Sequence, residues 1–578
     1  MSVRTKAVHV VTTRRRYKGK VYEAHLLRRS YREDGKVKNE TLANLSHLPR
    51  ETVELIRRSL RGERFVEVNE LFDVVASRPH GHVQAVLTAM RRLGFEKLIS
   101  SARCRERDLV VAMVASRVLH PLSKLATTRW WHTTTLPEEL QVADANEDDL
   151  YAAMDWLLKR QPLIEKKLAG RHLHKGGLVL YDLSSSYFEG NKCPLAKRGH
   201  SRDRKKGTLQ VNYGLVTDSF GCPISVSVFP GNTGDSTTLL PAVDRVRSRF
   251  GIESLVIVGD RGMLTQKQIT ELRVQKGVDW ITALKSAPIR DLVDRGALQL
   301  GLFDERNLFE IVHPDFPDER LIACRNPELA SYRAQKRQDL ITATTAKLEK
   351  IRVRVEAGRL RGKDKIGIAV GKSIDRHKVG KHFVLDIGDD RFSFSLDQER
   401  VATEAALDGI YVIRTSVNKR RLDASGVVTA YKSLTYTERA FRSLKTIDLH
   451  VRPIRHWSET RVPAHIFLCM LAYYVQYHMQ EVWRSLTFFD ETAWTQERAD
   501  PVAPAPRSTN AQRKARSKTT TDGAPVHSFR TLLDELGTLV RSDCRRRNAA
   551  DDEMPITIDT QPNETQQKAL TLLEDIEA

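Results

Sequence analysis

The sequence predicts an α/β fold, and three observations carry that prediction. Residues 177–182 and 254–260 are short runs of Val, Leu and Ile, each reading as a buried strand that closes on an aspartate, Asp182 and Asp260. Between and after them strand and helix patterns alternate. Residues 210–216 and 223–229 pair as a hairpin around the turn Asp218-Ser219-Phe220-Gly221, 237–249 reads as a helix, 265–275 as a second helix and 279–284 as a strand. Helical spacing of apolar residues dominates 83–93, 109–119, 148–158 and 162–168 before this region and returns at 462–483 after it.

The bulk numbers narrow the partners. A chain of 578 residues exceeds one ordinary domain; about 150 residues per domain gives three to four. Lys and Arg number 94 against 73 Asp and Glu, a formal net charge of +21, which favours a polyanionic partner. A membrane is disfavoured, because no apolar run approaches about 18 residues and the nearest, 466–475, runs into Gln476 and His478. The N-terminus is polar and basic, unlike a signal peptide, and six scattered cysteines with no CxxC pair read as reduced thiols without a zinc site. The expected location is the cytoplasm.

The predicted domains follow in order. Residues 1–66 form a basic hairpin-and-helix segment: through residue 64 they hold 17 Lys or Arg and 7 Asp or Glu, with strands at 21–30 and 37–43 and a helix at 49–61. Its run Arg14-Arg15-Arg16 with Lys18 reads either as a phosphate contact or as a solvated face. Residues 67–170 form a helical domain, either a DNA reader or a packing module, with Trp130-Trp131 as core. Residues 171–285 and 408–490 alternate in the order of a ribonuclease-H-like core. That core carries a basic loop, Lys197 to Lys206, read either as a backbone contact for DNA or as a solvated loop. Residues 286–407 are an insertion with strand-like runs at 308–312, 320–324, 382–387 and 391–396 and a long charged helix at about 327–356. Residues 491–525 read as a basic flexible linker, and 526–578 as a helical tail with a helix at 527–544. His465 and His478, on the 462–483 helix, read as packing or surface histidines rather than ligands.

Residues 431–445 contain neither Pro nor Gly. As one helix they place Tyr431, Leu434, Glu438, Phe441 and Lys445 on one face, at steps of 3, 4, 3 and 4. That face is either a half-buried helix with an edge ion pair or part of a site. With Asp182 and Asp260, Glu438 completes three carboxylates able to converge. Like charges packed together repel unless a cation joins them, and hard oxygen donors suit Mg²⁺ or Mn²⁺, two ions serving in-line displacement at phosphorus.

These residues carry a resemblance. Tyr431, Glu438 and Lys445 match a Tyr-x2-Arg-x3-Glu-x6-Lys signature, with Leu434 where Arg usually stands. Residues 181–185, 229–233, 259–262 and 452–456 also look like motifs of the same family. Over roughly 178–477 the chain resembles bacterial insertion-sequence transposases of the Asp-Asp-Glu type, the cut-and-paste group. The resemblance implies a ribonuclease-H-like core with a mainly β insertion and a DNA transposase that cleaves the ends of its element and joins the 3′-hydroxyls to target DNA. It implies Asp182, Asp260 and Glu438 as catalytic metal ligands, with two Mg²⁺ or Mn²⁺ ions and Asp182 bridging. Tyr431, Arg442, Lys445, Arg198, Arg202, Lys205, Lys206 and Arg261 are the expected DNA contacts. The partners are double-stranded DNA, both element ends and target, and cleavage of two ends suggests a homodimer. The alternatives are a nuclease of the same fold that cuts without joining, and a DNA-binding relic with a dead site.

Overall fold

The computed structural model describes residues 8–577 except 34, 64, 66–71, 206, 305–306, 492–499, 504–506 and 547–553. They fall into two compact units, Met1–Ser77 with Arg541–Asp559, and Arg78–Val540 with Thr560–Ala578.

In the first unit Val8–Tyr17, Lys20–Glu33 and Lys36–Asn44 form an antiparallel sheet, followed by the helix Arg50–Leu60. The first strand is additional to the expected hairpin. Its turn is Lys18-Gly19, both at positive φ (48° and 76°), the tight geometry whose twist suits a two-residue hairpin. The basic run hid this strand: Arg14 to Arg16 sit within it, and Arg14 donates to Glu23 on the neighbouring strand at 2.7 Å. Phe72–Pro79, Val540–Arg546 and Ile556–Asp559 make a second three-stranded sheet. Two expectations are corrected here. The region 67–170 opens with a strand, and the tail 526–578 is not all helical: its first helix is only Phe529–Gly537, and the stretch after it is strand.

The second unit has a helical layer on a sheet. Gly81–Arg92, Arg105–Leu119 and helix α1 (Glu147–His172) build the layer. Helix α1 joins what periodicity predicted as two helices; it runs through Pro162 and starts at a reciprocal cap between Asn146 and Asp149. No single helix among the described residues is long and apolar enough to cross a membrane.

The central sheet comprises β1 (Leu178–Tyr187), β2 (Leu209–Thr217), β3 (Pro223–Pro230), β4 (Leu255–Val258), β5 (Val278–Ala283), β6 (Leu308–Ile311), β7 (Arg320–Arg325) and β8 (Ile410–Thr415), with the two-residue strand Lys197–Arg198 on β2. The order is β6-β7-β8-β5-β4-β1-β2, with β3 also on β2. β1, β2 and β3 are antiparallel, β4 and β5 run parallel to β1, and β8, β7 and β6 add antiparallel strands at the far edge. This mixed sheet, preceded by helices, is consistent with a ribonuclease-H-like core.

The insertion differs from expectation. Its first two predicted strands, β6 and β7, belong to the central sheet. What remains, from Pro327–Glu356 through Lys363–His377 and Gln398–Ala405, is mainly helical, with one two-stranded ribbon, Phe383–Ile387 and Phe392–Leu396. The long helix buries Ile341, Thr344, Leu348, Ile351 and Val355, a stripe at steps of 3, 4, 3 and 4 that packs on Ile366 and Val370 of the next helix.

After β8 the chain forms α2 (Ala424–Lys432), α3 (Leu434–Arg442), a π-turn over Ser443–Ile447 and α4 (Arg461–Val482). α4 was expected to be amphipathic. It is buried almost all round, between the helical layer and β3, and even His465 and Gln476 lie inside. The predicted linker is also corrected in its described part, where Thr509–Ser517 is a helix. Lys514 is buried there, its ammonium held by the carbonyls of Arg484, Thr487 and Phe489 and by Glu491 at 2.8–2.9 Å. Composition read that lysine as solvated; a cage of acceptors makes its burial tolerable.

Candidate active site

Asp182 lies within β1, which continues through Tyr187 rather than ending at the aspartate as expected. The parallel register aligns Leu180 with Val258. Each aspartate follows that last pair by two residues, and the charge of Asp260 is felt at Asp182. Asp260 follows the end of β4 by two residues, and its carbonyl accepts from the N–H groups of Met263 and Leu264, closing the turn beneath it.

Glu438 arrives from far along the chain. Helix α3 packs on β1, and Thr437 meets Thr217 of β2 through their hydroxyls at 3.1 Å, both side chains buried. Gly221 completes the seat: a Cβ there would press on Tyr436. Glu438, next along the helix, is exposed.

The three carboxylates share one field. Asp182 is pushed up to about 7, first by burial, with the charges of Asp260 and Glu438 adding to the rise. The Leu183 N–H (2.8 Å) and Arg202 oppose it. An oxygen-only donor set whose members repel one another fits a hard divalent cation. The three do not form a closed cage, however. Among the described residues, the three metal-type donors that lie within 4.8 Å of one another are His172, Cys222 and His478, a softer set of different composition.

The remaining predicted residues separate into two groups. Tyr431, on α2 rather than on one continuous helix with Glu438, reaches Asp260 Oδ1 at 3.5 Å; burial and that carboxylate push its phenol well above the usual range. Ser433 separates α2 from α3, and Lys445 falls in the π-turn, so the single face predicted for 431–445 is broken. Lys445 is buried and donates to Asp203 Oδ1 at 3.1 Å, beside an ion pair from Arg452 to the same oxygen. Burial lowers its pKa, and Asp203 offsets part of that. Arg202 pairs with Asp235 at 2.5 Å, and its N–H donates to Ser185. Lys205 lies over the Tyr187 ring at 3.5 Å, while Arg198, Arg261 and Arg442 are exposed. Lys206 lies outside the described residues.

Sequence reasoning missed Asp203. Its carboxylate also accepts from the Tyr187 N–H at 2.9 Å, so it ties the basic loop to the end of β1 and to the π-turn. The signal was there: Asp203 is the single acid in the run from Lys197 to Lys206. Other motif stretches brace the same corner. A Cβ on Gly199 would strike the Gly231 carbonyl, and one on Gly231 would strike the carbonyls of Gln210 and Lys197, so both positions need glycine. Ile454 bonds back to Tyr187 and Glu189.

Residues 174–475 match the Transposase DDE domain family, and residues 10–69 match the IS1634 family transposase N-terminal domain. The first match spans just over half of the sequence, and the chain belongs to the DDE transposase family. No curated protein matches it. Among solved structures it is similar to the piggyBac transposase synaptic complex with hairpin DNA, at 9% identity over 79% of this chain and 76% of that one, with a TM-score of 0.31.

Proposed function

We propose that this protein is a cytoplasmic DNA transposase of the cut-and-paste group that binds the ends of its insertion element as a homodimer, hydrolyses phosphodiester bonds there and joins the 3′-hydroxyls to target DNA. The observation that carries the reading is the shared field at Asp182, whose carboxyl is raised first by burial and further by the charges of Asp260 and Glu438. Asp182, Asp260 and Glu438 would hold Mg²⁺ or Mn²⁺, with Asp182 central. The ions' contribution is to activate the attacking oxygen and offset charge on phosphorus.

Around them, Tyr431 orients Asp260 through its hydroxyl. The exposed Arg198, Arg261 and Arg442, with Lys205 and Lys206, supply cations for the DNA backbone, contacts that position without reading sequence. Arg202 and Lys445 have acidic partners of their own, Asp235 and Asp203, and serve the DNA by holding the basic loop and the π-turn in place.

Single amide replacements test the site. Asp182→Asn, Asp260→Asn and Glu438→Gln should each abolish nicking and strand transfer on end DNA, yet bind that DNA and melt no lower than the parent in chelator, since each relieves repulsion. A variant that loses its fold while the folded fraction still cuts removes that residue from the site. Nicking of intact ends with no joining of pre-cut ends to target DNA would favour the nuclease.

A further inference from the structure

His172, Cys222 and His478 lie outside the carboxylate site and have no part in the proposed transposition chemistry. Three separate segments deliver them: the C-terminal end of α1, the end of the β2–β3 turn just before β3, and the last turn but one of α4. Each offers a donor atom within 4.8 Å of the other two. The Cys222 sulfur stands 3.8 Å from His478 Nε2, and the His172 and His478 rings lie 5.7 Å apart between centroids. Two ligands of a tetrahedral zinc, one thiolate and one imidazole, are separated by about 3.6 Å when the bonds are about 2.3 and 2.0 Å. The group therefore sits at ligand spacing.

Its surroundings suit a cation. Burial holds both imidazoles in the neutral form that ligates, and it pushes the Cys222 thiol well above its usual range, so that proton leaves only when a metal replaces it. Cys222 is held from behind: Asp218 Oδ1 accepts the backbone N–H groups of Phe220 and Cys222, each at 2.9 Å, which fixes the turn that presents the sulfur. The Tyr474 hydroxyl lies 3.1 Å from His172 Nε2, next to the cluster. The charged groups facing the cluster are Asp218 and Glu481 near the thiol and Arg171 near the histidines.

We propose that His172, Cys222 and His478 form a site for a borderline-soft divalent ion such as Zn²⁺, with three protein ligands and one position left for water, which staples α1 and α4 to the β2–β3 turn. On binding, the Cys222 S–H bond breaks, its proton leaves to solvent and a sulfur–metal bond forms; no electron is transferred. The thiolate cancels one charge of the ion and Asp218 lies close enough to balance the other. The oxygen-only carboxylate site favours Mg²⁺ or Mn²⁺, so the two sites discriminate by donor softness.

Titration of the full-length, metal-stripped protein with Co²⁺ tests this. A thiolate-to-cobalt absorption in the near ultraviolet with intense visible bands should saturate at one ion per chain and vanish when Zn²⁺ is added. It should persist in Asp182→Asn, which separates this site from the carboxylates, and be lost in Cys222→Ser. In the parent protein, Zn²⁺ should also slow alkylation of Cys222, read by peptide mass, about tenfold or more. That measurement needs no variant to fold. Absence of the thiolate band, its survival in Cys222→Ser, or alkylation of Cys222 at an unchanged rate would each overturn the site, whatever the fate of the transposase reading.

Discussion

Thr437 donates its hydroxyl proton to Thr217, Oγ1 to Oγ1 3.1 Å, because the Thr217 hydroxyl is already spent on the Asp218 carbonyl at 3.0 Å. This one bond joins the helix carrying Glu438 to the strand next to β1. Replacing Thr437 by Val keeps the shape and removes the donor, a loss of about 1 kcal/mol in stability. The larger effect falls on the placement of Glu438. Single-turnover nicking should drop about tenfold with end binding unchanged, and Thr437→Ser should restore the rate. A Thr217→Val, Thr437→Val double variant no worse than either single change would show that both act through this contact.

Asp203 is expected to behave as a structural charge. Its carboxylate is nearly inaccessible and faces Lys445 and Arg452, both largely buried. Asp203→Asn leaves those cations uncompensated, and breaking such a buried pair costs about 3–5 kcal/mol. Thermal melting of Asp203→Asn should fall well below that of Lys445→Met, where the acid keeps Arg452. Equal melting temperatures would place the charge of Lys445 elsewhere.

The sequence made the strands legible, since apolar runs closing on aspartate need no tertiary information. It left their partners hidden. β6 and β7 were recognised as strands but assigned to the insertion, because the edge a strand joins is set by long-range register and not by its own residues. The three candidate acids could be picked out as residues, yet the helix carrying Glu438 is held by Thr437 against Thr217, which no local pattern connects. Lys514 and Asp203 were misread or missed for one reason: charge in a sequence suggests solvent until the opposing groups are seen. Cys222 and His478 lie 256 positions apart, so no ligand spacing was available to read.

His456 gives the molecule a sensitivity to acid. Burial, then the charges of Lys124, Arg117 and Arg461, lower its pKa to about 3, and its ring packs on His465 at 4.9 Å. With an unfolded value near 6.5, the unfolded chain binds the extra proton first. Stability is therefore full above pH 6.5 or so and is lost as pH falls toward 3, by a few kcal/mol at the upper end. Melting curves of His456→Gln should show a shallower decline between pH 6.5 and 4 than the parent. An identical slope would assign the acid sensitivity to other groups, the buried His465 first among them.

Leu434 stands where the resembling family carries Arg, and it packs beside the small core formed by Leu180, Val256, Val258 and Ile413. A leucine there cannot make the phosphate contact expected of an arginine, and it gains apolar burial. Two arginines on α3 are placed to compensate. Arg439 lies over the Phe489 ring at 5.7 Å, which commits its guanidinium to an aromatic face. Arg442 is exposed, and it lies one turn beyond Glu438 on nearly the same face of the helix. Arg442→Ala should therefore weaken end binding, reduce the slope of affinity against salt by about one charge, and lower strand transfer more than Arg439→Ala does. Leu434→Arg in the Arg442→Ala background should recover part of the binding if the two positions serve the same phosphate. An Arg442→Ala protein that binds, cuts and joins at the parent's rates would show that the lost arginine is not replaced from this helix.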